Sequence, residues 1–138
     1  MKKIVLFLMT LAAGTALMAG VPVERIYVST DRNVYLAGDA VWCSLSCLDE
    51  NGRFSNESAV SYLELISMDG TVCTAKIGLL AGRGAGSFRI PVTAPSGTYR
   101  LVAYTAVNAA EDGSPWLAGS RLLTVFNATS AVRVDDGV

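Results

Sequence analysis

The sequence predicts an all-β domain, an immunoglobulin-like sandwich of about seven antiparallel strands, and three observations predict it. After residue 20 no window carries the 3.6-residue period of an amphipathic helix, whereas apolar and polar residues alternate in one short run after another. Gly, Pro, Asn and Asp gather between the runs, where a chain must turn. Seven such runs in about 100 residues have the spacing of two packed antiparallel sheets; a closed barrel is the alternative that strand count leaves open.

The elements follow in order. Residues 24–29 alternate, with Ile26 and Val28 on one face. The polar interval "STDRNVYLAGDAVW" then reads as a corner leading into residues 40–48. There Val41, Cys43, Leu45 and Cys47 share a face and Trp42, Ser44 and Ser46 lie opposite. "DENG" ends that strand with turn formers. Residues 60–67 put Leu63 and Leu65 inward and Tyr62 and Glu64 outward, and "MDG" links them to residues 71–79, an Asp-Gly hairpin signal. "AGRGAG" reads as a flexible loop before a strand at residues 87–92, and "APSG" as the next corner. Residues 98–107, with Tyr99, Leu101 and Ala103 inward, and residues 121–126 close the pattern.

The N-terminus predicts export. "MKKIVLFLMTLAAGTALMAG" has two lysines, an apolar run and then small residues, the order of a secretory signal peptide. Cleavage after Ala19 or Gly20 is expected, an uncleaved membrane anchor being the rival. The domain organisation is thus a signal peptide at 1–20, a sandwich at 21–127 and a C-terminal tail or linker at 128–138. Nine basic and twelve acidic residues remain beyond the signal peptide, a net charge of −3, with the arginines spread singly. That distribution offers no basic stripe for nucleic acid.

Residue types narrow the chemistry. The sequence has no histidine, which removes Ser-His-Asp and Cys-His catalysis and the usual zinc and copper ligand sets. The adjacent carboxylates Asp49–Glu50, Glu111–Asp112 and Asp135–Asp136 fall in turns or the tail, and neighbours on an extended chain point apart. "GRGAG" precedes a strand, whereas a phosphate-cradling loop opens a helix. Asp31, Asn33 and Asp39 are too few for calcium, which takes about six or more oxygens. Asp31 and Asn33 are expected to bond backbone N–H groups and shape the corner, so neither metal nor cofactor is expected. Cys43 and Cys47 lie on one face about 13 Å apart at strand rise, too far to bridge. Cys73 could reach either, and small buried thiols are the preferred reading. Trp116, in the loop before the last strand, and Tyr104, facing away from Leu101 and Ala103, are the weak candidates for binding.

The ordered pieces "STDRNVYLAGDAVW", "DENG", "YLELISMDGTV", "GAGSFRIP", "PSGTYRLVAYT" and "LLTVFN" together resemble a macroglobulin-like domain of the alpha-2-macroglobulin superfamily. The likeness is greatest to the module near the N-terminus of large exported bacterial proteins. The resemblance implies that Asp31, Tyr35 and Gly38 form a structural corner between strands, here with Val34 and Ala37 where prolines are frequent. Protease-trapping members carry a Cys-Gly-Glu-Gln thioester. No cysteine here is followed by Gly-Glu-Gln and the chain has no glutamine, so covalent trapping by this chain is excluded. The expectation is a non-catalytic module in the periplasm or at the cell surface, acting as a spacer or protein-interaction domain with other domains or envelope proteins as partners. A carbohydrate- or peptide-binding module using loop aromatics is the alternative.

Overall fold

A computed structural model describes residues 23–108 and 119–129. Expectations for the signal segment, for Trp116 and for the tail beyond Thr129 lie outside these residues. The described part is all-β: β1 (Glu24–Thr30), β2 (Val34–Leu36), β3 (Ala40–Asp49), β4 (Val60–Ser67), β5 (Gly70–Gly78), β6 (Arg83–Arg89), β7 (Gly97–Tyr104) and β8 (Arg121–Phe126). They form two sheets, β1-β3-β6 and β2-β8-β7-β4-β5.

Alternation places the core. Ile26, Val28, Val41, Leu45 and Cys47 come from the smaller sheet, and Leu63, Leu65, Tyr99, Leu101, Leu123 and Val125 from the larger, all nearly inaccessible to solvent. Each large apolar side chain buried this way contributes about 1.5–3 kcal/mol. Every ladder is antiparallel except β2–β8, in which Tyr35 lies beside Val125 in parallel register.

Two features differ from the sequence reading. The corner contains an eighth strand, β2, too short to show a period of its own and held by pairing with the last strand. "GRGAG" is no loop: it runs through β6, which spans Arg83–Arg89 rather than residues 87–92. Glycine lowers strand propensity, so the run read as a break, but here it permits close packing. A Cβ on Gly84 would stand 2.5 Å from the Gly78 carbonyl oxygen, and one on Gly86 would stand 3.2 Å from Ile77. Beyond Arg89 the strand ends at Ile90 and Pro91, where Ile90 N–H still bonds the Asp39 carbonyl at 2.9 Å.

Candidate functional site

The polar interval between β1 and β3 is knotted onto itself. Tyr35 is buried, and its hydroxyl donates to Asp31 Oδ1 at 2.7 Å while accepting from Arg32 N–H at 3.0 Å. Asp31 Oδ1 also accepts from Trp42 N–H at 3.1 Å, and Asp31 N–H donates to the Trp42 carbonyl. Gly38 turns the chain with φ +94°, a conformation that glycine adopts without steric cost, and its N–H reaches the Ile90 carbonyl at 2.9 Å. Asp39 accepts from Leu36 N–H at 2.8 Å, which caps the outer side of β2. Arg32 lies over the Tyr35 ring at 4.6 Å and 3.6 Å from both Asp31 and Asp39.

The electrostatics follow from those bonds. The Tyr35 hydroxyl holds the Asp31 carboxyl below its usual range. Burial, and then the Asp31 acceptor, raises the Tyr35 phenol. Tyr35 is thus tied to Asp31, whose carboxylate serves backbone N–H and hydroxyl donors, while Gly38 is held separately by Ile90 and Arg89. Beside it, a depression of about 280 Å³ is lined by Ser29, Thr30, Asp31, Trp42, Cys43 and Ser44, shallow for a small-molecule site.

Tyr104 lies on the outer face of the larger sheet, stacked on Tyr62 with ring centroids 5.7 Å apart. Its hydroxyl donates to Glu64 Oε2 at 2.6 Å, and that acceptor, with burial, pushes the phenol up to about 12. The exposed indole among the described residues is Trp42, 61% accessible on the outer face of β3. Alternation had put Trp42 on that face, but nothing in the sequence singled it out as a surface aromatic.

Sequence reasoning missed a buried polar cluster around one carboxylate. Glu24 is inaccessible, and its carboxylate accepts from Ser55 Oγ at 2.6 Å, Ser58 Oγ at 2.7 Å and Thr105 Oγ1 at 2.8 Å. Burial raises its pKa, but these hydroxyls and the Cys47 thiol outweigh burial and leave it lowered. Asn108 closes the cluster by accepting from Thr105 N–H at 2.8 Å. The signal was available: Glu24 has the parity of Ile26 and Val28 and therefore shares their inward face.

All three cysteines are free, Cys43 and Cys47 buried and Cys73 half-buried. Burial pushes the Cys43 and Cys47 thiols up to about 12, with the Asp31 and Glu24 charges adding to it. Among the described residues no three His, Cys, Asp or Glu side chains converge as a metal-binding group.

In this arrangement the Asp31, Asp39 and Glu24 carboxylates serve the chain's own donors, and comparison with known proteins places the fold. The MG2 domain family model matches residues 25–117. The fold is similar to Salmonella alpha-2-macroglobulin reacted with methylamine, at 19% identity and TM-score 0.56, over 74% of this chain and 6% of that one. It is also similar to trypsin-activated alpha-2-macroglobulin from Escherichia coli, at 17% identity and TM-score 0.56, over 77% of this chain and 7% of that one. A third likeness is to the sporulation control protein Spo0M of Bacillus subtilis, at 12% identity and TM-score 0.54, over 75% of this chain and 49% of that one. No curated protein matches in sequence. The chain therefore corresponds to a small fraction of the length of the macroglobulins it matches. With the family model covering most of its length, the chain belongs to the MG2 domain family, a β-sandwich module of alpha-2-macroglobulin-like proteins.

Proposed function

We propose that this chain is a non-catalytic, exported module that works as a spacer or protein-interaction domain in the bacterial cell envelope. The observation that carries this reading is the MG2 match over residues 25–117, joined to a corner whose oxygens serve its own backbone. Export is supported by the basic, apolar and small-residue order of residues 1–20. Its partners on this reading are other protein domains or envelope proteins. Ligand binding through loop aromatics has less support, because the Tyr104 hydroxyl is already committed to Glu64.

The test is fractionation of cells expressing the tagged full chain, with the mass of the product measured. The expected product lies in the periplasm or at the surface and begins after Ala19 or Gly20. A cytoplasmic product that retains Met1 would refute the export reading.

A further inference from the structure

We propose that the free edge of β6 takes up an extended polypeptide segment that alternates apolar and acidic residues, adding it as a strand to the smaller sheet. The proposal rests on the interaction-module reading and names the partner's chemistry.

The ladder geometry identifies the open groups. Cys47 N–H bonds the Gly82 carbonyl at 2.7 Å, and Ile90 N–H bonds the Asp39 carbonyl at 2.9 Å. In the register between them, the pairs Leu45–Gly84, Cys43–Gly86 and Val41–Phe88 carry the same bonding parity. The N–H and C=O groups of Ala85, Ser87 and Arg89 therefore point away from β3. Among the described residues no strand lies on that side of β6, and these three residues are exposed. Arg83 differs, because its backbone is closed in a tight hairpin with Leu80. An open, flat edge of this kind templates an added strand.

The edges at β2 and β1 are managed. Asp39 caps Leu36 N–H on β2. A Cβ on Gly119 would collide with the Ile26 carbonyl, so the chain near Gly119 lies against β1. On β6 the exposed side chains between the two arginines are only Ala85 and Ser87, with no lysine or proline to block pairing.

Two further observations define what fits. First, the core is incompletely covered on this side, where β5 and β6 meet at the margin of the sandwich. Val72, Cys73, Ala75 and Phe88 pack on the core yet stay partly exposed, and Gly84 and Gly86 contribute no side chain to that face. Inward residues of an added strand would cover these groups, which calls for apolar side chains. Second, the outward positions beside the open edge end in Arg83 and Arg89, about 20 Å apart at strand rise. Lys76 of β5 lies over the Tyr62 ring on the outer face of the larger sheet and does not belong to this border. Neither β5 nor β6 contains an acidic residue, and no described carboxylate pairs with Arg83 or Arg89. Outward aspartates or glutamates on the incoming strand would meet this positive border.

The experiment uses the full chain and two capped synthetic peptides of about eight residues, a typical strand length, one alternating valine with aspartate and the other valine with lysine. The valine–aspartate peptide is expected to protect the amides of Ala85, Ser87 and Arg89 from hydrogen exchange and to bind at least tenfold more tightly than the valine–lysine peptide. Ser87→Pro removes an outward N–H while sparing the β3 ladder, and should weaken binding at least tenfold. Should that variant misfold, Arg83→Glu combined with Arg89→Glu must reverse the preference between the two peptides. Absence of protection, or equal binding of the peptides, overturns the proposal. So does protection in the chain alone, whether it rises with protein concentration, marking a second copy, or disappears on removal of residues 130–138, marking the chain's own tail. Failure of peptide binding by a chain that reaches the envelope sinks this proposal alone, whereas cytoplasmic retention sinks only the export reading.

Discussion

Glu24 is a residue whose role comes from its environment rather than its type. A carboxylate in an apolar layer is costly unless hydrogen bonds replace its water, and here hydroxyls from Ser55, Ser58 and Thr105 do so. Because these bonds hold its folded pKa below the ordinary 4.5, its contribution to stability is present above that value and is lost as pH falls through the folded pKa. Glu24→Gln should cost about 2 kcal/mol at neutral pH and flatten the fall in stability on acidification below about pH 4.5. Urea unfolding of both proteins across that range checks it; an unchanged acid slope would remove Glu24 as its source. Residue by residue, the sequence was legible where parity alone decides, as at Leu63, Leu65 and Tyr99. The cluster around Glu24 was not, because its donors lie 31, 34 and 81 residues away and alternation says nothing about which distant groups meet.

At the scale of elements, β6 shows where propensity misleads. Its glycines read as a break in sequence, yet they occupy the inner face where the sheets approach too closely for a side chain. Gly84→Ala drives a methyl group toward a backbone oxygen that cannot swing away, and should destabilise by about 1–3 kcal/mol. Gly97→Ala is the control, because nothing lies within 4 Å of a Cβ there, and its effect should stay below about 0.5 kcal/mol. Equal thermal shifts in the two variants would refute the close-approach account. Strand β2 was hidden for another reason: three residues hold no measurable alternation, and its partner is the far end of the chain.

For the whole molecule, the two sheets shut Cys43 and Cys47 inside while Cys73 sits near the open margin. With the buried thiols pushed up to about 12, thiolate is scarce as well as shielded. Native alkylation at pH 8 should modify Cys73 slowly and leave Cys43 and Cys47 unreacted, with all three reacting in denaturant. Mass mapping of the labelled chain checks this; rapid native labelling of Cys47 would mean that β1 and β3 separate locally.

The parallel pairing of β2 with β8 sets an order of events. Val34, Tyr35 and Leu36 are made early, but their partners Thr124, Val125 and Phe126 are among the last described residues to be made. A ribosome or an export pore that delivers the chain from its N-terminus can let the corner close on itself and on Ile90, but it leaves β2 without a partner strand until β8 follows. The β2 seam must wait for six residues at the other end of the fold, while the ladders among β1, β3, β4, β5, β6 and β7 can form without them.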